Sequence, residues 1–475
     1  MKNIKKFYIL VFLLFVGALL IMAVACNPSD GEEPFKVERD ENGNEYVLSE
    51  DKDGYDLKYV CVSEEESVTV PEHFNGLPVK SVLANSFRNC SRVKNISVPN
   101  GINVKGLAFF GCSSLETLTI PDINYGRLGQ LFGTRYFDGT QKTDHDLYGT
   151  TSKVYYIPRS LKSVTLTNAS NLYSRVFSNC QNLVSIEILG SVDTVGVCAF
   201  ADCTSLKNLS LPASIKEIDT SGMADCTSLE HIDLPQNLTR IGMLAFKGDK
   251  ALKDIVIPDS VRALGLSAFL DCTGLKNITI GSGMAYINKN AFAHCRNVEN
   301  LYFNAKNTED FSNDAHRIFA ELGKNTAGTK VYIGSTVEKV PAYMLFPHNE
   351  QEYCPNVTEI VFAENSNCAI IGEYAFSFLR NLKSVTLADG LETIGNSAFC
   401  QTNSLERITI PKTVTKILSG AFIGSKALEE IEFEEAGNWK VYTTSTDYVS
   451  VSVKNSVANV NYFTDKYRRY DWEKT

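Results

Sequence analysis

The sequence lacks the residue patterns from which catalysis or metal binding is usually predicted. Its six histidines form no His-Glu-x-x-His pair, and no Cys-x-x-Cys or Cys/His cluster has the spacing of metal ligands. Gly265 to Phe269 lacks the second glycine of a nucleophile elbow, and Asp40 to Glu45 lacks the central glycine of a calcium loop. Asp144 to Asp146 could ligate a cation, but a polar surface loop is the favoured explanation. We therefore predict a protein that is not an enzyme and needs no cofactor or metal.

A basic surface is missing as well. The 475-residue chain has 46 Lys and Arg against 55 Asp and Glu, a formal net charge of −9. Residues 30–72 alone hold fifteen acidic and four basic residues, so the remainder is close to neutral. We expect this acidic segment to be a solvated spacer and cap that an anionic membrane surface repels. Nucleic acid is disfavoured as a partner because no basic stripe is present, and we predict none.

Long hydrophobic runs are absent except at the N-terminus. Three lysines among the first six residues precede an apolar run from Phe7 to Met22, which leads into Ala23 to Cys26. This order is typical of an export signal, and sixteen residues are short for a membrane span. The last four residues resemble a bacterial lipobox, which implies cleavage before Cys26 and lipid attachment to it. An ordinary signal peptide with an incidental cysteine is the alternative. We predict a lipoprotein signal peptide over 1–25 and a tether over 26–34.

A repeat of 23 residues runs through most of the chain. Its marker is a phenylalanine, once a methionine, that usually closes an Ala-Phe pair. The marker positions are Phe87, Phe109 and Phe132, then Phe177, Phe200, Met223, Phe246, Phe269 and Phe292, and finally Phe376, Phe399 and Phe422. A fixed period of this length predicts a solenoid of stacked repeats, of which we count about fourteen. Since no single coil can close its own core, stability must come from stacking.

One repeat shows how a coil should form. Leu275, Ile278 and Ile280 alternate with polar residues, which predicts a short strand with one buried face. A proline such as Pro258 follows the equivalent strand in many copies and ends it, because it has no N–H for the ladder. Val261 and Leu264 should then point inward, and Phe269 should plug the far side. The predicted fold is a solenoid with a parallel β-sheet on one face and little helix.

Each buried phenylalanine should contribute roughly 2–3 kcal/mol through the apolar surface that it removes from water. Replacing Phe246 by alanine should cost about 3–5 kcal/mol through formation of a cavity in the middle of the stack.

The thirteen cysteines follow the repeat rather than a disulfide pattern. Seven lie three residues after the marker: Cys90, Cys112, Cys180, Cys203, Cys226, Cys272 and Cys295. We expect these to be buried and reduced, because a small thiol with a weak donor suits a tight turn whose carbonyls need partners. A disulfide stays open among the cysteines that lie off this column, which are Cys61, Cys198, Cys354, Cys368 and Cys400.

Capping segments must shield the apolar core that a stack of repeats exposes at each end. We predict an acidic β N-terminal cap over 35–78, with a hairpin turn at Asn42-Gly43, and the solenoid over 79–433. Irregular inserts near 133–153 and 304–354 are either binding loops or surface decoration. A C-terminal cap over 434–475 holds both tryptophans, Trp439 and Trp472, whose favoured role is packing.

Outward residues of successive strands should form columns that a partner can touch. We predict that His231, Asp233, Asp254 and Tyr302 lie exposed on this face. The alternative is that a ladder of Thr, Ser and Asn simply solvates the sheet.

The repeat resembles a known family. Cys203 to Pro212 and Cys272 to Ile280 show Cys-x-x-Leu-x-x-Ile/Leu strands, and Ile241 to Phe246 and Ile394 to Phe399 end in Ala-Phe. This pattern is similar to the BspA-type leucine-rich repeat of bacterial surface proteins, of the 23-residue kind found in Treponema pallidum. The resemblance covers about residues 35–475 and implies a leucine-rich-repeat horseshoe or arc.

The function implied by the resemblance is non-catalytic protein binding at the cell surface. Family members with assigned roles are implicated as adhesins for host matrix proteins, in aggregation between bacteria and in attachment to mucosa. The chain would thus be exported, lipid-anchored to the bacterial envelope and surface-exposed, with an extracellular protein or glycan as its partner. The family shares no binding motif, so no site residue follows from it.

Two other functions stay open. A glycan or peptide receptor predicts an aromatic patch near Tyr136, Phe137 and Tyr148, or near Trp439 and Trp472. A structural envelope protein predicts no specific ligand.

Overall fold

The computed structural model describes residues 36–60, 65–124, 126–143, 154–312, 317–347 and 353–475. The predicted signal peptide and tether, Cys26, Cys61, Asp144 to Asp146 and Tyr148 lie outside the described residues.

The described chain is built almost entirely of short strands. In chain order they are β1 (Val37–Arg39), β2 (Glu45–Leu48), β3 (Tyr55–Tyr59), β4 (Ser67–Thr69), β5 (His73–Phe74), β6 (Leu77–Val82), β7 (Asn95–Ser97), β8 (Asn103–Val104), β9 (Thr117–Ile120), β10 (Thr140–Thr143), β11 (Tyr155–Pro158), β12 (Ser163–Ala169), β13 (Ser185–Gly190), β14 (Thr194–Val195), β15 (Asn208–Ser210), β16 (Glu217–Ile218) and β17 (Arg240–Ile241).

They continue with β18 (Asp254–Ile257), β19 (Ala263–Leu264), β20 (Asn277–Ile280), β21 (Tyr286–Ile287), β22 (Asn300–Phe303), β23 (Thr329–Ile333), β24 (Lys339–Val340), β25 (Val357–Phe362), β26 (Ile370–Ile371), β27 (Ser384–Thr386), β28 (Thr393–Ile394), β29 (Arg407–Ile410), β30 (Lys416–Ile417), β31 (Glu430–Phe433), β32 (Asn438–Tyr442), β33 (Tyr448–Ser452) and β34 (Asp471–Lys474).

Helix is confined to three short pieces of the described chain. They are a 3₁₀ turn at Leu128–Leu131, α1 at Ser456–Asn461 and a π-helical turn at Tyr462–Lys466. Within the described ranges, no helix is both long and apolar enough to cross a bilayer.

Each coil turns sharply around its phenylalanine. On either side of Phe269, Ser267 has φ 55° and Asp271 has φ 60°, so two left-handed residues bracket the marker. Asn, Asp and Gly tolerate this conformation best, and Asn179, Asp202, Asp225 and Gly248 hold the second position in other coils. Pro258 follows β18 directly, and Val261 and Leu264 are fully buried, as the repeat predicted.

Successive coils stack in register and form two parallel sheets. We call them the long-strand sheet and the short-strand sheet. The long-strand sheet follows the order β4-β7-β9-β12-β13-β15, then β18-β20-β22-β23-β25-β27, then β29-β31. The short-strand sheet follows β14-β16-β17-β19-β21 and later β24-β26-β28-β30. The solenoid of about fifteen turns confirms the predicted fold, for which about fourteen coils were counted.

The short-strand sheet was not predicted. Its strands have two residues each, such as β17 and β19, so they carry no alternation from which a strand could be recognised. The long-strand sheet also extends further than expected. It begins with β4, inside the segment predicted as cap, and β23 continues it through the second predicted insert.

The core is a column of stacked phenylalanines. Ring centroids are 4.9 Å apart from Phe246 to Phe269, 5.1 Å from Phe269 to Phe292 and 5.6 Å from Phe292 to Phe319. The rings are within 6° of parallel. Phe200, Phe246, Phe269 and Phe292 are fully buried, so the marker residue is the plug that the sequence predicted.

Most thiols of the column tie their coil to the one before it. Cys203 Sγ donates to the carbonyl oxygen of Phe177 at 3.1 Å, Cys226 to Phe200 at 3.2 Å and Cys272 to Phe246 at 3.0 Å. Burial raises the pKa of these thiols, to about 12 for Cys203. Off the column, Cys198, Cys368 and Cys400 are buried free thiols.

Native protein is therefore expected to protect Cys203, Cys226 and Cys272 from iodoacetamide, because only an accessible thiolate reacts. Mass spectrometry after a short exposure at pH 8 should find them unmodified, and the same treatment in urea should modify all three. Rapid labelling without urea would contradict the buried thiol column.

Antiparallel strands close both ends. At the N-terminus, β1 and β2 form the predicted hairpin around Gly43, and β3 joins β2 to β6. At the C-terminus, β30 pairs with β34, which pairs with β32. Trp472 stacks on Phe463 at 4.1 Å, and Trp439 contacts Phe433 at 5.5 Å. Both tryptophans are buried, which agrees with a packing role, and Trp472 also lines a cavity at the C-terminal cap.

Candidate binding face on the long-strand sheet

The candidate site is the outer face of the long-strand sheet. Along β18, Ile255 and Ile257 are buried whereas Asp254 and Val256 are exposed, so alternate side chains leave the core. The strands of successive coils pair in register, so equivalent outward residues lie side by side; Asp254, Asn277 and Asn300 are one such row. The face thus presents two parallel columns of side chains.

One column is polar and internally bonded. Asn277 Nδ2 donates to Asp254 Oδ1 at 2.6 Å, and Asn300 Nδ2 donates to Asn277 Oδ1 at 2.8 Å. Further along, Lys330 Nζ lies 2.9 Å from Glu359 Oε2. Side chains held in this way lose little rotamer freedom when a partner binds.

The other column is apolar and aromatic. It runs Val256, Thr279, Tyr302, Tyr332 and Val361 across five paired strands. Tyr302 and Tyr332 stack with ring centroids 4.8 Å apart and planes 10° apart. Val256 is 61% exposed and Tyr302 is 37% exposed. An aromatic pair is thus fixed on a rigid sheet with its edges in solvent.

Tyr332 was missed because it lies 30 residues after Tyr302, outside the 23-residue period. The signal that could have found it is the alternation of buried Val331 and Ile333 around it within β23.

The long-strand sheet is interrupted in the coil that contains His231. Neighbouring coils supply β15 and β18, but His231 to Leu234 form no strand. Within the described chain, no backbone hydrogen bond joins Ile232, Asp233 or Leu234 to a neighbouring coil, and only Lys253 N donates to Glu230 O just before them. We call this interruption, bounded by β15, His231–Leu234 and β18, the split.

The split opens one side of the solenoid only. In the same coils β16 and β17 remain paired in the short-strand sheet. Leu209 and Leu211 beside the split are half-buried, whereas the equivalent Ile278 and Ile280 are fully buried. A groove of about 460 Å³ lies over β12, β13, β15 and His231 to Asp233, with Ile186, Leu209 and Ile232 among its lining residues.

Carboxylates dominate the charge around the split. Glu187 and Asp233 line the groove, and Asp254 lies on the next strand. In the part of the chain that the structure describes, none of the three pairs with a lysine or arginine; Asp233 Oδ1 lies 3.0 Å from His231 Nε2. Lys207 is the cation among the groove residues.

The four residues predicted to lie on this face are all exposed: the side chains of His231 and Asp233 are 68% and 95% exposed, and Asp254 and Tyr302 are exposed as well. The prediction that His231 and Asp233 lie on a strand was wrong, because the ladder stops there. The alternation of their segment with Ile232 and Leu234 is the same as in paired strands, so sequence alone could not show the interruption.

Tyr136 and Phe137 lie elsewhere, at the hairpin formed by β10 and β11. Tyr136 is 62% exposed and contacts Tyr156 at 5.7 Å, and Phe137 packs half-buried on Phe110 at 5.5 Å. The structure does not bring them to the long-strand sheet. No group of three His, Cys, Asp or Glu suited to a metal ion occurs among the described residues.

Comparison with known proteins bears on the whole chain. The profile of the BspA type leucine rich repeat region matches residues 64–134, 150–273, 241–345 and 346–465, in six copies. No curated protein matches. Among solved structures, a leucine-rich repeat protein from Bacteroides ovatus is 20% identical over 85% of this chain and 94% of its own, with a TM-score of 0.41.

Two other solved structures of leucine-rich repeat proteins are also similar. A leucine rich cell surface protein from Faecalibacterium prausnitzii is 17% identical over 85% of this chain and 96% of its own, with a TM-score of 0.29. A leucine rich repeat protein of T. pallidum is 19% identical over 62% of this chain and 90% of its own, with a TM-score of 0.25.

Proposed function

Because the chain belongs to the BspA-type leucine-rich repeat family, we propose that it is a cell-surface lipoprotein whose long-strand sheet binds another macromolecule, first of all an extracellular protein. The binding is adhesin-like, attaching the cell to host matrix or to other cells. The observation that carries this proposal is the Tyr302–Tyr332 stack, fixed and partly exposed on a sheet of paired strands.

The physical argument rests on rigidity and chemistry. Tyrosine is enriched at protein interfaces, since its ring offers apolar area and its hydroxyl a hydrogen bond. Tyr302 and Tyr332 hold each other in place, and the bonded column beside them is already ordered. Binding there costs little conformational entropy, which favours affinity without a deep pocket.

Attachment to the cell is part of the proposal. The export signal and Cys26 support a lipid anchor, and the acidic residues that follow support a spacer that anionic lipid repels. The tether and the acidic segment would then hold the solenoid away from the membrane surface.

Solid-phase binding tests the function directly. Purified full-length protein is applied to immobilised matrix proteins, mucins and intact cells, with albumin as the control surface. Saturable binding to one of them is the expected result. Equal, unsaturable signal on every surface including albumin would contradict adhesin-like binding.

Replacing Tyr302 by alanine is expected to weaken that binding by about tenfold or more, because tyrosine is enriched among interface hot spots, whose truncation costs about 2 kcal/mol or more. Tyr286→Ala is the matched control, because Tyr286 is 41% exposed on a strand of the short-strand sheet in the same region. Equal loss in both variants, or none in either, would exclude the aromatic column as the binding surface.

A glycan receptor is the second candidate, favoured by one cavity. A cavity of about 450 Å³ between the C-terminal cap and β30 is lined by Tyr442, Tyr470, Trp472, Arg469 and Glu473. Tyr442 Oη donates to Glu473 Oε2 at 3.0 Å, which fixes an aromatic ring beside a carboxylate. Saturable binding on a glycan array, abolished by Tyr470→Ala, is the result that would favour this function.

A further inference from the structure

The strand β33 of the C-terminal cap is an open edge of its sheet. It pairs with β32 on one side, and no strand of the described chain pairs with its other side. The helix α1 follows β33 in the chain but packs against β31, where Asn459 Nδ2 donates to the carbonyl oxygen of Ile431 at 2.9 Å. Four of the five residues of β33 are exposed. The free side of β33 is therefore open to solvent.

The direction of each backbone group in β33 follows from its pairing with β32. Residues of an antiparallel pair alternate between those that bond to the opposite strand and those that point away from it. Thr443 N donates to the carbonyl oxygen of Asp447 at 2.9 Å, and Val453 N donates to that of Gly437 at 3.2 Å. Asp447 and Val453 thus turn toward β32, and every second residue between them does the same. The remaining residues turn their N–H and C=O groups to the free side, where no backbone group of the described chain bonds to them: Tyr448, Ser450 and Ser452.

The sequence of β33 has none of the features that normally protect a sheet edge. Charged side chains, proline and bulges discourage another strand from pairing. The strand reads Tyr-Val-Ser-Val-Ser and pairs with β32 without a register shift. The edge strand at the other end of the chain, β1, carries Glu38 and Arg39, which form ion pairs with Lys36 and Glu45. One terminal edge is thus protected by charge, and the other is left open.

A second copy of β33 is complementary to this edge. Two identical strands pair antiparallel about a two-fold axis. With the axis at Ser450, the two Ser450 residues exchange both of their backbone hydrogen bonds, and Tyr448 does the same with Ser452 of the second copy. A register centred on Val449 or Val451 would leave Ser452 or Tyr448, respectively, opposite no residue of the second β33. The backbone therefore favours Ser450 as the centre.

Side chains and charges agree with this register. Val449 would lie opposite Val451 of the second copy, and since Val449 is 41% exposed, pairing removes apolar surface from water. Asp447 and Lys454 flank the strand, are exposed, and form no ion pair within the described chain. Antiparallel pairing brings the Asp447 end of each copy to the Lys454 end of the other, whereas parallel pairing would bring like charges together.

We propose that the protein forms a tail-to-tail dimer in which the β33 strands of two copies pair antiparallel about Ser450. The strands β24-β26-β28-β30-β34-β32-β33 already form one sheet, so the two copies would be joined by one continuous sheet across their C-terminal caps. This inference goes beyond the proposed function, because the dimer uses β33 and not the Tyr302–Tyr332 stack. A strand edge buries less area than a standard protein interface, so we expect a weak dimer that depends on concentration.

Light scattering of the full-length protein in neutral detergent, over about 1–100 μM, measures the dimer. The mass should rise toward that of two copies as the concentration increases. Ser450→Pro should weaken the dimer at least about tenfold, because proline removes the central N–H on the free side and leaves the bonds to β32 intact. Ser450→Thr keeps that N–H and is the matched control, with an expected change of less than about twofold. The apolar N-terminal run is the same in every variant, so it does not affect the comparison.

A second variant keeps the backbone of β33 unchanged. Val449→Lys should weaken the dimer about fivefold or more, because a charge on the inward face of an edge strand opposes pairing. In the monomer this position is partly exposed, and a lysine there keeps its ammonium group in water. Circular dichroism and thermal unfolding should therefore match those of the wild-type protein.

Cysteine cross-linking locates the register. Ser450→Cys should form an intermolecular disulfide under mild oxidation, because the Cα atoms of such a pair are about 5.5 Å apart, within the range of a disulfide. Ser452→Cys is the matched control, since in the proposed register it faces Tyr448 rather than its own counterpart, and its yield should be at least about fivefold lower. The wild-type protein gives the background from the native cysteines.

A protein that stays monomeric at every concentration would overturn the inference. Undiminished dimerisation of both Ser450→Pro and Val449→Lys, or equal cross-linking through Ser450→Cys and Ser452→Cys, would do the same. Pairing of β33 with a different protein, while the chain itself stays monomeric, would assign the edge to another occupant and also overturn it. The proposed function fails separately: Tyr302→Ala should dimerise as the wild-type protein does, so absence of binding to matrix proteins or cells would leave the dimer in place.

Discussion

Replacement of Phe269 by alanine is expected to lower the free energy of unfolding by about 3–5 kcal/mol, the range for large-to-small substitution in a packed core. Phe269 is fully buried and has a parallel ring on each side, Phe246 at 4.9 Å and Phe292 at 5.1 Å. The substitution removes both ring contacts and leaves a cavity that the stacked coils cannot fill. Each aromatic contact adds about 0.5–1.5 kcal/mol beyond area burial.

Urea unfolding followed by circular dichroism measures this loss. Phe246→Ala should lie nearer the lower end of the same range, because Phe246 has a ring on one side and the coil marked by Met223 on the other. Tyr136→Ala is the control for aromatic loss at an exposed site, with an expected change of at most about 1.5 kcal/mol, because it loses one edge contact with Tyr156. A loss at Phe269 no larger than the control would contradict a core held together by the stacked rings.

Replacement of Asp249 by asparagine is expected to stabilise the protein at neutral pH. Asp249 lies three residues after Phe246, where other coils have cysteine, and it is fully buried. Cys226 N donates to Asp249 Oδ1 at 2.8 Å, but Oδ2 has no hydrogen-bond partner among the described residues. Burial raises the pKa of the Asp249 carboxyl well above its ordinary value.

The sign of the pH dependence follows from the bound proton. Folded protein keeps the proton on Asp249 at pH values where the unfolded chain releases it. Stability from this group is therefore full below the unfolded pKa, near 4, and falls as pH rises toward the folded pKa, by about 1.4 kcal/mol for each pH unit between them. Asparagine has the same shape, still accepts from Cys226 N, and can donate to the carbonyl of Met223, the equivalent of the acceptor used by Cys272.

Thermal or urea unfolding of the two proteins at pH 4, 5, 6 and 7 makes the comparison. Near pH 4 the stabilities should be similar, and the advantage of Asp249→Asn should grow with each step upward. The exposed variant Asp389→Asn should show no such trend. A difference independent of pH would show that Asp249 does not carry a proton in the folded state.

Sequence alone was sufficient for those parts of the fold that repeat. Phe269, Cys272 and Pro258 recur at one spacing, and each recurs for a physical reason: a plug, a donor to a carbonyl and a strand end. The short-strand sheet could not be predicted, because two residues of strand carry no period. The left-handed residues around each marker were overlooked although Asn, Asp and Gly are frequent there.

The candidate site could be predicted only as a face. Exposure of Asp254 and Tyr302 follows from alternation along β18 and β22. Tyr332 could be predicted only by knowing that its coil is longer than 23 residues. The split could not be predicted at all, because Ile232 and Leu234 show the same alternation as residues of paired strands.

The bond from each cysteine to the carbonyl of the preceding coil also bears on how such a chain evolves. Cys272 donates a hydrogen bond to the carbonyl oxygen of Phe246 just as Cys203 donates one to that of Phe177, with the same 26-residue separation. A gene that gains or loses one whole unit between Phe246 and Phe292 brings identical chemical groups together at the new junction. Unequal recombination can therefore lengthen or shorten this molecule without any new packing solution, and selection can adjust its reach independently of its binding residues.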